Sequence, residues 1–285
     1  MIAEAGVESS TPAFLMGQIN ISKQIQVMGI INTTPDSFSD GGRFYHFDRA
    51  LAHARQMIED GVDILDIGGE STRPGSKLVD QNEEIERTIP LIEAIRQISD
   101  IPVSIDTNKP GVMQQAVAAG ASLVNSVDAF RQEYALEVAA RLKVPVCIMH
   151  MQGTPETMQL DPHYEDVVEE VKAFLQARID AALAAGIARE NIIVDPGFGF
   201  GKTLEHNLQL LKSLPEFKCL GVRVLVGLSR KGMIGAILDK PVDQRLFGSI
   251  STAVISAMQG ADIIRVHDVA ETVDAIAIVK ALNRV

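Results

Sequence analysis

The chain contains eight short apolar runs, each followed by a polar or glycine-rich cluster. The runs occupy residues 26–31, 64–67, 103–105, 123–124, 146–149, 192–194, 222–226 and 263–264. Segments with helical periodicity separate them, so the pattern predicts eight strands that are each followed by a helix. Polar clusters after parallel strands are typical of the carboxyl-terminal face of a closed barrel. The sequence therefore predicts an α/β fold, a (β/α)8 TIM barrel in a single domain.

An open, doubly wound sheet is the alternative architecture for alternating strands and helices. The first run is not followed by the Gly-x-Gly-x-x-Gly turn of a dinucleotide-binding sheet, and eight units in one chain favour closure. The length of 285 residues is close to the value of about 250 that is typical of one barrel. We expect residues 24–285 to form one barrel domain, preceded by a leader at residues 1–23.

Composition excludes several classes of function. The 37 acidic and 26 basic residues give a net charge of −11, which disfavours binding to a nucleic-acid backbone. No apolar run approaches the roughly 18 residues that a membrane span requires. The first ten residues contain no basic residue ahead of an apolar stretch, which argues against a secretory signal. We therefore expect a cytoplasmic protein.

Three polar side chains directly follow apolar runs: Asp106, Asn125 and Asp195. Buried carboxylates are costly unless they are paired, and together these groups suit a planar, nitrogen-rich ring that carries N–H donors. The alternative is that they cap the next helix or bind backbone. This alternative is strongest for Asp106, because Pro110 follows it at a position typical of a helix start.

A second set of side chains, mostly cationic, also follows predicted strand ends. It comprises Arg73, Lys202, Arg230, Lys231, Arg265 and His267. In a barrel these groups converge on one rim, where they suit a phosphorylated substrate; the alternative is that each is a surface residue beside a loop. Zinc-binding spacings are absent from the sequence, so a hard ion held by substrate phosphates and a few protein oxygens is favoured. Asn32 is the candidate to provide such an oxygen.

The glycine-rich segment at residues 197–203 is not a nucleotide-binding P-loop, because Pro196 stands where that motif needs glycine. Its glycines instead allow backbone to approach a ligand, with Phe198 or Phe200 as a wall. The segments at residues 33–42 and 68–77 are rich in Gly, Pro, Ser and Asp, and we expect them to act as lids over the barrel mouth.

Seven motifs, in one order from residue 27 onward, resemble those of the bacterial dihydropteroate synthase family. They are MGIINTTPDSFSDGG at 28–42, DIGGESTRPG at 66–75, SIDT at 104–107, MHMQGTP at 149–155, DPGFGFGK at 195–202 with Asn207, GLSRKG at 227–232 and RVHD at 265–268. One departure is visible. The family usually has Asn-Asp after the fourth strand, whereas this chain has Asn125 and Ser126.

The resemblance implies a reaction of folate biosynthesis, in which a dihydropterin methyl diphosphate and 4-aminobenzoate give dihydropteroate and diphosphate. It implies a pterin site formed by Asp106, Asn125, Asp195, Lys231 and Arg265. It implies a 4-aminobenzoate site, open to sulfonamide drugs, formed by Thr72, Arg73, Pro74, Phe200 and Ser229. The diphosphate would be held by Asn32, Arg265 and His267, with Mg²⁺ bound at Asn32.

We expect a dissociative substitution, because the difficult event is departure of diphosphate and an aromatic amine is already neutral near pH 7. Asp40, on the first loop, is the candidate to stabilise the pterin cation, and the other expected catalytic residues are Lys231, Arg265 and His267. The resemblance also implies a homodimer formed through outer helices, with the last two as candidates.

Two rival functions remain. A pterin-binding methyltransferase domain shares the barrel and the pterin acids, but it does not need the Ser-Thr-Arg-Pro and Ser-Arg-Lys motifs present at 71–74 and 229–231. A catalytically inactive pterin-binding paralogue is the second. The intact motifs of the first two loops argue against it, while Ser126 favours it slightly.

Overall fold

In a computed structural model, which describes residues 25–33, 43–71, 76 and 78–284, eight parallel strands close into a barrel. Each strand pairs with the next, and the last pairs with the first. The closed barrel confirms the predicted fold, and the open-sheet alternative is wrong. The strands are β1 (Gln26–Asn32), β2 (Ile64–Gly68), β3 (Val103–Asp106), β4 (Leu123–Ser126), β5 (Val146–Met149), β6 (Ile192–Asp195), β7 (Arg223–Val226) and β8 (Ile263–Val266).

Helices follow the strands and cover the outside of the barrel. They are α1 (Arg43–Glu59), α2 (Gln81–Arg96), α3 (Pro110–Ala118), α4 (Ala135–Leu142), α5 (Val167–Ala184), α6 (Leu204–Lys212), α7 (Gly232–Leu238), α8 (Leu246–Met258) and α9 (Val269–Leu282). The sequence predicts a short extra helix at residues 233–238, after the seventh strand, and α7 confirms it. From its residue type and its place ahead of an apolar-periodic segment, Asp48 is a candidate N-cap of the first helix. That prediction is wrong, because α1 begins at Arg43, about one and a half turns earlier.

Strand alternation divides the side chains of the barrel into two sets. One buried cluster contains a single residue from each of seven strands. Its members are Met28, Ile64, Leu123, Cys147, Ile193, Leu225 and Ile263. The intervening residues pack in a larger core with the helices. Because side chains alternate between the two faces, the residue two positions after each member of the cluster also faces the barrel interior, nearer the carboxyl ends of the strands.

The predicted leader at residues 1–23 lies outside the described residues, as do residues 34–42, 72–75 and 77 of the two predicted lids. The domain boundary after residue 23 therefore stays a prediction. Among the helices of the described ranges, none combines the length and the apolar character that crossing a membrane requires.

Candidate active site

A tier of polar side chains closes the barrel interior at the carboxyl ends of the strands. We call it the polar tier; its members are Asp66, Asp106, Asn125, Asp195 and Arg265. Arg265 Nε donates to Asp66 Oδ2 at 2.6 Å, and its Nη2 donates to Asp106 Oδ2 at 2.9 Å. Asn125 Nδ2 lies 3.4 Å from the same Asp66 oxygen. These bonds join β8 to β2 and β3, which are not its neighbours, so they pass through the barrel interior.

Burial sets the charge behaviour of the polar tier. It raises the pKa of Asp106 to about 7; Asp66 adds to this effect, and Arg265 opposes it. Burial likewise raises the pKa of Asp195, against the influence of Lys231 and of the Gly197 N–H, which lies 2.7 Å from its carboxylate. The carboxyl groups of Asp66, Asp106 and Asp195 therefore lie near only two cations, Lys231 and Arg265, in a barrel mouth that is shielded from water. This arrangement favours a ligand rich in N–H donors.

Asp66 has no role in the sequence analysis, although it is fully buried and bonds to both Arg265 and Asn125. Its Oδ1 is also buried and has no hydrogen-bond partner in the described part of the chain. The signal was visible, because a carboxylate interrupts the apolar run at 64–67 and an unpaired buried charge is costly.

The alternative reading of Asp106 as a helix cap is wrong. The residue at the N-cap of α3 is Lys109, and its side chain makes no capping hydrogen bond. The Asp106 carboxylate is instead directed to Arg265. It lies in register with Gly68 on β2 and with Asn125 on β4, so strand pairing places it beside the amide of the polar tier.

The loop after β6 supplies one wall of the mouth. Lys231 Nζ donates to the carbonyl of Phe198 and lies 4.4 Å from the centre of the Phe200 ring. Burial lowers the pKa of Lys231 to about 8, and Asp195 opposes the change. Phe198 is fully buried in the core, so Phe200 is the aromatic residue of this pair that lines the wall.

Only part of the predicted cation set converges on the polar tier. Lys231 and Arg265 do so, but Lys202 is buried behind the β6 loop and bonds to His150 Nδ1 at 2.9 Å. Arg230 pairs with Asp268, with its Nε 3.1 Å from Oδ2. Lys202 and Arg230 therefore lie in loops at the predicted rim, but they bond to partners outside the polar tier. A position after a strand end does not fix the direction in which a long side chain extends.

Ser229 and His267 connect the loops after β7 and β8. Ser229 Oγ accepts a hydrogen bond from the His267 amide at 3.1 Å and lies 3.0 Å from His267 Nδ1. When the hydroxyl donates to Nδ1, the ring proton is on Nε2. Asn32, at the end of β1, is half-buried, and a Cβ on Gly68 would lie 3.8 Å from its Oδ1.

The Ser126 hydroxyl takes part in a small network after β4. It lies 3.1 Å from Asn108 Oδ1 and 2.8 Å from Asp128 Oδ1, and it accepts a hydrogen bond from the Phe130 amide. Asp128 therefore places a carboxylate beside Ser126, the position at which the resemblance implies an acid. These hydrogen bonds of Ser126 hold the loop after β4 in place.

Asp40, Thr72, Arg73 and Pro74 lie outside the described residues, so their roles rest on the sequence. A cavity of about 340 Å³ opens between the loops after β2, β3, β4 and β5, and Asp106 is part of its lining. Across the described ranges, no group of three or more His, Cys, Asp or Glu side chains is arranged to hold a metal ion.

Comparisons of the sequence and of the structure with known proteins agree on one family. The sequence profile of the pterin binding enzyme family matches residues 28–267. The dihydropteroate synthase of Haemophilus influenzae is 53% identical over 256 residues, which cover 90% of this chain and 93% of that protein.

Two solved structures extend the comparison. The dihydropteroate synthase of Yersinia pestis, in complex with a sulfonamide drug, has a TM-score of 0.88 at 50% identity and covers 92% of this chain and 95% of its own. The dihydropteroate synthase of Xanthomonas albilineans, in complex with 7,8-dihydropteroate, has a TM-score of 0.84 at 48% identity, with the same coverage. The chain therefore belongs to the pterin-binding enzyme family and, within it, to the dihydropteroate synthases.

Proposed function

We propose that this protein condenses (7,8-dihydropterin-6-yl)methyl diphosphate with 4-aminobenzoate, giving 7,8-dihydropteroate and diphosphate. The polar tier is the observation that carries the proposal. It offers carboxylate and amide groups from β3, β4 and β6 inside one desolvated mouth, where a flat ring with several N–H groups finds complementary acceptors. Membership of the dihydropteroate synthases supports the same reaction.

In this proposal the pterin ring lies against Asp106, Asn125 and Asp195, with Lys231 donating to a ring acceptor. Arg265 is bonded to Asp66 and Asp106, so its guanidinium occupies part of this acceptor set. Binding of the pterin then releases Arg265 from Asp106. Its planar, weakly hydrated guanidinium is suited to stack on the ring and to hold the diphosphate.

The chemistry that follows is a dissociative substitution. The bond between the methylene carbon and the diphosphate oxygen breaks, and the electron pair leaves with the diphosphate. Arg265 and His267 stabilise the developing negative charge, while Asp40, from the first loop, stabilises the pterin cation. The neutral amine of 4-aminobenzoate then forms the C–N bond and loses one proton, so a strong general base is not needed.

We propose Mg²⁺ as the counter-ion of the diphosphate, with Asn32 as its protein ligand. Mg²⁺ keeps several waters and binds substrate phosphates with few protein oxygens, which fits a mouth without a metal-binding cluster in its described residues. The absent side chain at Gly68 leaves room beside Asn32 Oδ1. When bound, Mg²⁺ would offset the charge of the leaving group.

The second subsite in this proposal takes 4-aminobenzoate between Phe200 and Ser229 and the loop that carries Thr72, Arg73 and Pro74. Sulfonamides share the aminobenzene shape and should compete there. Initial rates measured at several concentrations of 4-aminobenzoate test this. Competitive inhibition by a sulfonamide supports the subsite, and inhibition that is independent of 4-aminobenzoate contradicts it.

We also propose a homodimer through α8 and α9. These helices pack against each other, and their outer faces expose Phe247, Ile255, Met258, Ile278 and Leu282. Exposed apolar groups on adjacent helices are typical of a protein interface. Sedimentation should give a dimer for the wild type and a monomer for Phe247→Lys with Met258→Lys. A wild-type monomer at micromolar concentration contradicts the proposal.

Product analysis tests the function itself. The protein is incubated with the pterin diphosphate, 4-aminobenzoate and Mg²⁺, and dihydropteroate is identified by mass. Formation that depends on 4-aminobenzoate supports the synthase, for which the cytoplasm stays the expected location. Pterin binding without product would instead favour an inactive binding protein or a methyltransferase, and transfer of a methyl group to a corrinoid protein would separate these two.

A further inference from the structure

Lys202 lies in the loop after β6, and its hydrogen-bond partners are His150 and two carbonyls of its own loop rather than side chains of the polar tier. It is 3% exposed. Its Nζ lies 2.9 Å from His150 Nδ1, 2.9 Å from the Gly197 carbonyl and 3.0 Å from the Phe200 carbonyl. Burial lowers the pKa of Lys202 well below that of an ordinary lysine, and Asp195 opposes the change. In its ammonium form the group has three N–H donors, and these three acceptors use all of them. Lys202 therefore has no donor left for a substrate.

The loop backbone is shaped to surround this ammonium. Gly197, Gly199 and Gly201 have φ angles of 71°, 80° and 63°, in the region that glycine enters without strain. A Cβ on Gly197 would lie 1.8 Å from the His150 carbonyl oxygen, so no other residue fits there. The resulting turns bring two carbonyls to one nitrogen, and these hydrogen bonds offset the cost of burying the side chain.

The opposite side of the same loop forms the candidate site. Between the two carbonyls that Lys202 holds, Phe198 presents its own carbonyl to Lys231 Nζ. The Phe200 ring lies beneath the same nitrogen, 4.4 Å away. A shift of the loop would therefore move the acceptor and the ring together, and Lys231 with them.

We propose that Lys202 is a positioning residue, which fixes the Phe200 ring and, through the Phe198 carbonyl, the ammonium of Lys231 beside Asp195. The inference rests on the proposed function, because Phe200 and Lys231 belong to its two substrate subsites. It assigns a task to a lysine that binds neither substrate.

His150 Nδ1, the acceptor of Lys202 outside the loop, can accept a hydrogen bond throughout the working pH range. Burial and the neighbouring Lys202 lower the pKa of His150 to about 2, so its Nδ1 keeps a lone pair for the ammonium. Two further contacts hold the loop without Lys202. Asn207 Oδ1 accepts from the Gly199 amide at 2.7 Å, and the Tyr164 hydroxyl donates to the Gly201 carbonyl at 2.8 Å. A variant of Lys202 should therefore still fold.

The first test compares Lys202→Met, which keeps the length of the side chain and removes its donors, with Lys212→Met, an exposed lysine of α6. For Lys202→Met we expect the KM for 4-aminobenzoate to rise about tenfold and the pKa of Lys231, measured by NMR titration, to rise towards that of an ordinary lysine. Lys212→Met should change neither. If Lys202→Met lowers the melting temperature but leaves both quantities unchanged, Lys202 is only structural and the proposal is wrong.

A matched pair at His150 tests the same contact without changing Lys202. His150→Asn keeps an acceptor near the position of Nδ1, whereas His150→Leu has the same shape without one. We expect the leucine variant to shift the pKa of Lys231 and the asparagine variant to restore it. Equal values in the two variants contradict the proposal, even if Lys202→Met does not fold. The NMR readout needs no turnover, so failure of the proposed reaction would remain distinguishable from failure of this inference.

Discussion

The guanidinium of Arg265, on β8, lies 2.9 Å from the carboxylate of Asp106, on β3. The same guanidinium donates to Asp66 on β2, so one arginine bonds to two carboxyl groups across the barrel mouth. Burial would lower the pKa of Arg265, but Asp66 and Asp106 outweigh it and raise that pKa. Arg265 thus holds together the groups that are proposed to receive the pterin.

Replacing Arg265 should destabilise the protein far more than replacing Arg230. Arg265→Met leaves two buried carboxylates without their partner, which costs about 3 kcal/mol in the free energy of unfolding. Arg230→Met breaks a pair whose arginine is 41% exposed, and we expect a loss below about 1 kcal/mol. Urea denaturation at pH 8 measures both values, and similar losses would refute the assignment of Arg265 as the central cation.

Asp106 should make the protein less stable as the pH rises. Its pKa is about 7 in the folded protein and about 4 in an unfolded chain. Between these values the folded state keeps a proton that the unfolded state has lost, so the free energy of unfolding falls as the pH increases.

Asp106→Asn removes this titration. Its stability should therefore fall less between pH 5 and pH 8 than that of the wild type, by roughly 2–3 kcal/mol. Asp243→Asn, in an exposed position, is the control and should follow the wild type. A wild-type pH dependence in Asp106→Asn would show that another group is responsible.

Ser229 should matter for the diphosphate rather than for the pterin ring. Its hydroxyl lies 3.0 Å from His267 Nδ1, and Ser229→Ala removes this contact to the ring. We expect affinity for the pterin diphosphate to fall about tenfold, or about 1.4 kcal/mol, while affinity for the hydroxymethyl pterin stays unchanged. Ser251→Ala, on the exposed face of α8, is the control; equal losses for the two ligands would disprove the role.

Asp40 should affect turnover more than binding, since the charge that it is proposed to stabilise exists only after diphosphate begins to leave. Asp40→Ala is expected to lower kcat by at least tenfold with little change in the dissociation constant of the pterin substrate. Single-turnover kinetics and calorimetry give the two quantities separately. A turnover number equal to that of the wild type would remove Asp40 from the mechanism.

The barrel could be predicted because its signal is repeated eight times along the chain. Each apolar run is short and is followed by a helical segment, and this order is enough to define a parallel closed sheet. Helix boundaries were less certain. The start of α1 at Arg43, ahead of the expected cap at Asp48, shows that a capping residue type inside a helix cannot be distinguished from one at its start by sequence alone.

The polar tier could be predicted in part for the same reason. Asp106, Asn125 and Asp195 end apolar runs, and a period of two residues places them on the interior face. Asp66 was missed because it lies within a run rather than after it. The direction of Lys202 could not be predicted because its side chain turns back into its own loop, and that direction depends on three glycine turns and on His150, which directly follows β5.

The dissociation constant of Asp195→Ala for the dihydropterin methyl diphosphate, measured by calorimetry without 4-aminobenzoate, tests the central claim most directly. The claim is that the polar tier binds the pterin, and Asp195 is its carboxylate on β6. We predict at least a 100-fold loss of affinity, or about 2.7 kcal/mol, in a variant that still unfolds cooperatively. An unchanged dissociation constant would contradict the account, because the pterin would then bind elsewhere.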